Sequence, residues 1–398
     1  MQKKYYAIIV LLLVALVGAG FYFFHGKKVV SLVSDKSETG SEVVNVEASI
    51  EASIEDSKTQ RLFVSGWIPY WAKQKGADSL KNNLSLFSEI NPFAFEVDSN
   101  GIIQDKMSIN SSPWPELRKE AEKNNVSFVP TILWADAKAM HKIFSDKNLL
   151  QNHVDSIKII LDKNNFSGVD IDYEGKDVAD KDLFSNFLKN LHETLSSEGK
   201  SVECTIEART EDNVPEGWSG TRAMSFANDY SALNEFCDNV KIMAYDEVFQ
   251  VNGQHQTFED KSAMPSAPNA DIQWVEKVIQ YASKYIAPEK IILGVPTYGW
   301  EFKFEKIPTG YSYSRIQSVS YSQAIAEAKS DGVTPMRNSG GELSFIFNQN
   351  RIVTFSDSVA IGQKIDLVKK FDLKGINLFK IDGLFDPGIY SVFERAEK

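Results

Sequence analysis

The feature that most constrains this chain is a rhythm. From Arg61 to Lys398, short apolar runs of strand character alternate with longer polar stretches of helical period. The runs are RLFVSGWIPYW (61–71), INPFAFEV (90–97), SFVPTILW (127–134), FSGVDIDYE (166–174), SVECTIEA (201–208), NVKIMAYD (239–246), KIILGVPTYGW (290–300) and GINLFKID (375–382). Between them lie amphipathic stretches such as LLQNHVDSIKIILDKNN and DLFSNFLKNLHETLSSEGK. Strands alternating with helices in this number predict a (β/α)8 TIM barrel. The gap between the seventh and eighth runs is too long for one helix. It contains SYSQAIAEAKSDG, of helical period, then ELSFIFNQNRIVTFSD, which reads as a hairpin. A small α+β insertion over about 301–357 is expected there, followed by the helix VAIGQKIDLVKKFDLKG.

Residues 1–60 are different material. Tyr5 to Phe24 is a run of twenty residues without a charge, long enough to span a hydrocarbon core of about 30 Å as a helix. Aromatic residues bracket it, and Lys3 and Lys4 favour a cytoplasmic N-terminus. Residues 1–28 are therefore read as a membrane anchor, with a signal peptide cleaved after Ala19 as the alternative. Either reading places the rest outside the cytoplasm. Residues 29–60 are rich in Ser, Glu and Asp and read as a solvated, disordered tether. The segment expected to form the barrel is 61–398.

Fifty-four acidic against 43 basic residues give a formal net charge of −11. That excludes a basic nucleic-acid footprint. Cys204 and Cys237 are the two cysteines, with no C-x-x-C spacing, so neither zinc nor thioredoxin-like chemistry is expected. They form one disulfide in an exported protein, or they are two buried thiols; the sequence leaves both open.

One run carries carboxylates. In FSGVDIDYEG, Asp170, Asp172 and Glu174 recur at a spacing of two, which puts them on one face of a strand. In a barrel of this kind the C-terminal strand ends carry the active site, so Glu174 should stand at the mouth with the aspartates beneath it. Burial and like charge both raise carboxyl pKa values, so at least one proton should be held there at neutral pH. A carboxyl that keeps its proton can act as a general acid. Calcium is a poor alternative, because the twelfth position from Asp170 is Lys181, where a bidentate Glu belongs. The structural alternative is pairing with buried Arg or Lys, which only a distant strand can supply. No metal or other cofactor is expected.

With these residues the sequence resembles the family-18 glycoside hydrolases, the chitinase-like family. Phe166 to Glu174 resembles the family's fourth-strand signature, with Ser167 in place of the usual first Asp. Met243-Ala244-Tyr245-Asp246 resembles its sixth-strand motif, and IILGVPTYGW its seventh strand. MAYDE, the Pro-rich loop after it and the late FSDSVAIGQKIDLVKKFDLKGI are similar to the bacterial spore-germination and cell-wall branch.

The resemblance implies a retaining mechanism in which the substrate's acetamido group is the nucleophile. It assigns Glu174 as general acid and base. Asp172 would orient the acetamido N–H, Asp170 would share a proton with Asp172, and Tyr245 would bond the acetamido oxygen. Asp246 and Met243 would help hold the sugar. Phe379 stands where the family commonly has a Trp that floors the cleavage subsite. Trp67, Tyr70, Trp134 and Trp300 are further groove candidates. The implied partner is an N-acetylglucosamine polymer, peptidoglycan ahead of chitin, cleaved by a monomer. The competing expectation is a non-catalytic sugar-binding protein on the same barrel.

Overall fold

The computed structural model describes residues 61–252 and 257–396. Eight parallel strands form its centre: β1 (Phe63–Ile68), β2 (Glu89–Val97), β3 (Thr131–Trp134), β4 (Gly168–Tyr173), β5 (Ser201–Glu207), β6 (Asn239–Met243), β7 (Ile291–Pro296) and β8 (Gly375–Phe379). Each pairs with its neighbours in chain order. β8 pairs with β1, and β1 closes the ring on β2 through Trp67 opposite Asn91 and Ile68 opposite Pro92. The fold is a closed (β/α)8 barrel.

The packing follows from the two-residue period of each strand. On β4, Val169, Ile171 and Tyr173 face the helices and are fully buried. Tyr173 stacks on Phe187 of the helix Lys181–Ser196, with ring centroids 5.4 Å apart, and bonds His153 at 2.7 Å. The helix Lys147–Asn164 starts at Asp146, whose carboxylate accepts from the Asn148 and Leu149 amides. It stops at Asn165, which adopts a left-handed φ of 53°. These caps satisfy backbone groups that an isolated helix leaves open.

Inside the barrel the side chains are unusually polar. Lys241 of β6 is completely buried, with its ammonium 2.5 Å from Glu203 of β5, 3.1 Å from Glu89 of β2 and 3.6 Å from Asp170 of β4. A single cation thus gathers carboxyl groups from three strands. Burial and the Glu203 charge push Glu89 up to about 8. Lys241 is held above its ordinary range, because the three carboxyl groups outweigh the cost of burying it.

The seventh run is two elements. β7 ends at Pro296, and a separate strand, Tyr298–Ile307, turns out of the barrel into a second sheet of six strands. That sheet takes five strands from between β7 and β8, and the helix Tyr321–Ser330 lies within the same stretch. The strands Leu343–Phe347 and Arg351–Phe355 pair as a hairpin. The sixth strand, Thr257–Asp260, comes from before β7, which the sequence pattern did not anticipate. Among the described residues no helix is long and apolar enough to cross a membrane. The expected anchor at Tyr5–Phe24 and the tether 29–60 lie outside the described residues.

Cys204 of β5 and Cys237, just before β6, form a disulfide with their Cα atoms 6.0 Å apart. The alternative of two buried thiols is thereby excluded.

Candidate active site

The carboxylate column ends in a cleft of about 440 Å³ at the C-terminal mouth of the barrel. Asp172 and Glu174 line it from the β4 side. Met243, Tyr245 and Asp246 line it from the end of β6, Phe379 from the end of β8, and Trp67 and Tyr70 from β1 and the turn after it. The turn after Glu174 is made by Gly175 at φ +70°, a conformation L side chains rarely adopt, although a Cβ there would have open space.

The three members of the column differ in surroundings. Asp170 accepts hydrogen bonds from Trp67 Nε1 at 2.9 Å and from the hydroxyls of Thr131 and Thr205 at 2.7 Å each. With Lys241 beside it, Asp170 is the carboxylate that a distant strand supplies with a cation. Asp172 is nearly fully buried, and its Oδ1 has no hydrogen-bond partner among the described residues. Burial, then the charges of Glu174, Asp170 and Glu207, raise its pKa well above the ordinary range. Burial and the Glu207 charge push Glu174 up to about 7, while Lys176 opposes them. At neutral pH the mouth of the barrel thus holds carboxyl groups that retain protons.

Asp246 is set by local backbone geometry. It has φ +56°, which turns its side chain off the strand line, and its amide donates to Asn269 Oδ1 at 2.9 Å. Its Oδ1 accepts from Tyr298 at 2.5 Å and Trp300 Nε1 at 2.7 Å. Burial raises the Asp246 pKa and those two donors oppose it. Trp300 therefore stands behind Asp246 and holds it, rather than lining the cleft as the sequence suggested. Phe379 stacks on Tyr245 with ring centroids 5.4 Å apart and meets the edge of Trp67 at 5.9 Å. Burial, then the charge of Asp172, raises the Tyr245 pKa, so its phenol remains a donor.

Trp134 is not in the cleft. Strand parity gives Leu133 and Ala135 to the mouth and sends Trp134 outward, where it packs against Phe144, His153 and Tyr173. Its expected role in the groove is corrected to core packing.

Two residues that the sequence reading passed over belong to the site. Glu207 at the end of β5 lines the cleft. Its alternation with Glu203 and Thr205 repeats the spacing of the β4 column, a signal available in SVECTIEA. Trp71, 56% exposed, extends the aromatic wall beside Tyr70.

The family model for glycosyl hydrolases family 18 matches residues 65–383. The chain belongs to this family. It is 20% identical over 252 residues to the uncharacterized glycosylase YvbX of Bacillus subtilis (strain 168), covering 62% of this chain and 66% of that one. It is 22% identical over 305 residues to the cortical fragment-lytic enzyme of the same organism, covering 74% and 64%. The chain thus spans slightly under two thirds of either curated relative. The crystal structure of the Bacillus cereus spore cortex-lytic enzyme SleL has the same fold, with a TM-score of 0.68, 20% identity and coverage of 85% of this chain and 75% of that one.

Proposed function

We propose that this family-18 barrel hydrolyses β-1,4 bonds in N-acetylglucosamine-containing polymers outside the cytoplasm, with peptidoglycan ahead of chitin. The observation that carries the reading is a carboxyl group, Glu174, pushed up to about 7 by burial and so able to hold a proton near neutral pH, in a cleft that also presents Asp172 and Tyr245. A group titrating near 7 can give a proton to the leaving oxygen and later take one from water. Of the other carboxyl groups at the mouth, burial keeps Asp172 in its protonated form, which is a poor nucleophile, and the remaining two are engaged by neighbours. Both Glu207 oxygens accept hydrogen bonds, from the Gly175 amide at 3.1 Å and Asn228 at 2.7 Å, and Asp246 is held by Tyr298 and Trp300. The nucleophile is then the substrate's own acetamido oxygen, oriented by Asp172 and Tyr245, as the family resemblance implies. The cortical fragment-lytic relatives support a wall glycan. The apolar run Tyr5–Phe24 supports export with retention at the membrane.

The chemistry is tested by the substrate. Purified protein is mixed with N-acetylglucosamine oligomers and with peptidoglycan fragments, and fresh product is followed by rapid NMR. The β-anomer should appear first, since two inversions amount to retention. An oligomer with a free amine on the sugar whose anomeric bond breaks should bind without being cut. An initial α-anomer, or equal cleavage of the free-amine oligomer, overturns substrate assistance and the role of Tyr245.

A further inference from the structure

Behind Glu174 lies a second pair of charged groups that the mechanism above leaves unused. Glu207 closes β5, and Lys176 sits two residues past the acid. Each is about 1% exposed, and the Lys176 ammonium is 3.8 Å from Glu207 Oε2. Lys176 also donates to the Tyr173 carbonyl and lies over the Phe184 ring at 4.6 Å. Glu207 Oε1 accepts from the amide of Gly175. The pair therefore grips the Glu174 turn at the residue before the acid and at the residue after it.

We infer that Glu207 and Lys176 are positioning residues for Glu174: a buried pair of opposite charge that holds the turn and balances the field at its carboxyl group. The inference rests on the hydrolase reading for its kinetic test. Other charged or titratable groups facing Glu174 are Asp172 from its own strand, Tyr245 and Asp246 from the end of β6, and Tyr298 from the second sheet. Asp172, Tyr245 and Asp246 belong to the sugar-binding face. Glu207 also borders the cleft, but its oxygens are taken up by the Gly175 amide and by Asn228, with Lys176 beside the second, and the Lys176 ammonium donates to the turn.

Charges of opposite sign should act in opposite directions. The Glu207 carboxylate favours the protonated acid and the Lys176 ammonium disfavours it. Glu207→Gln keeps an acceptor for the Gly175 amide. Asn228 Oδ1, which has no partner among the described residues, can accept from the new amide after a flip. Lys176→Met keeps the apolar stem over Phe184.

The experiment measures kcat/KM against pH on N-acetylglucosamine oligomers for the full chain and both variants. It also follows the Glu174 carboxyl by 13C NMR titration without substrate, assigned by difference with Glu174→Gln. Glu207→Gln should move the alkaline limb and the NMR midpoint to lower pH by at least about half a unit. Lys176→Met should move both to higher pH. Unmoved midpoints, or shifts in the same direction, overturn the inference. So does loss of turnover at every pH in Glu207→Gln with the midpoint unchanged, which would make Glu207 a reacting group. If Lys176→Met fails to fold, the Glu207→Gln shift alone decides. If the wild type cleaves none of the oligomers, the hydrolase reading falls, and the NMR arm still tests the pair.

Discussion

At Glu174 the surroundings favour the neutral acid, and that has a consequence for stability as well as chemistry. Its folded pKa lies near 7 against an ordinary glutamate value of 4.5. The native state therefore binds the proton more tightly than the unfolded chain. The resulting stabilisation is complete below about pH 4.5 and is lost as pH rises through 7. Glu174→Gln cannot ionise, so it removes this loss. The variant should lose activity by a factor of about 10² to 10⁴ or more, yet at pH 8 be more stable than wild type by roughly 3 kcal/mol. At pH 4.5 the difference should nearly vanish. Calorimetry at the two pH values checks this, and a constant difference would mean that Glu174 titrates normally. The β4 column was legible because its spacing places three acids on one face. Glu207 offers the same spacing on the adjacent strand, but nothing local in SVECTIEA reveals that β5 ends beside Glu174. Trp134 misled for the complementary reason. An aromatic residue at a strand end suits a sugar groove or a helix interface equally well, and only parity against Thr131 and Leu133 decides between them.

At the level of elements, the barrel interior carries a design that composition cannot show. Lys241 lies on β6, and its three partners lie on β2, β4 and β5. Those residues are between 38 and 152 positions away in sequence, so no local pattern pairs them. Removing one partner of a buried ion pair leaves the others unpaired and costs about 3–5 kcal/mol. Lys241→Met should therefore lower the unfolding free energy from urea denaturation by an amount in that range. A loss under about 1 kcal/mol would mean that Glu203 and Asp170 find other compensation. The strands themselves were readable because the face each turns to the helices stays apolar at a spacing of two, even where the inward face is charged. Boundaries were less so. KIILGVPTYGW runs without a polar break, yet Pro296 closes β7 and Tyr298 opens a strand of another sheet. The edge strand Thr257–Asp260 joins that sheet through pairing with Tyr311–Ser314, a contact between segments that share no sequence signal.

On the scale of the whole barrel, one covalent bond ties an element of the site to the core. The disulfide closes a 33-residue separation from Cys204 to Cys237. That span contains Glu207, which accepts from the Gly175 amide of the Glu174 turn, and Asn228, which donates to Glu207. Cys204 itself points away from the interior, between Glu203 and Thr205, which face Lys241 and Asp170. The bond should therefore act on stability, not on the geometry of the cleft. Chain entropy for a loop of this length gives about 3–4 kcal/mol. Replacing both cysteines by Ala should lower the unfolding free energy by that amount under oxidising conditions, with a lower denaturation midpoint, and leave kcat and its pH dependence near wild type at 25 °C. Wild-type protein treated with reductant should approach the variant's midpoint, whereas the variant should not respond. If kcat falls in proportion to stability well below the midpoint, the end of β5 is held in place by the disulfide itself rather than by the Glu207 contacts, and the role of Glu207 in positioning the Glu174 turn would have to be revised.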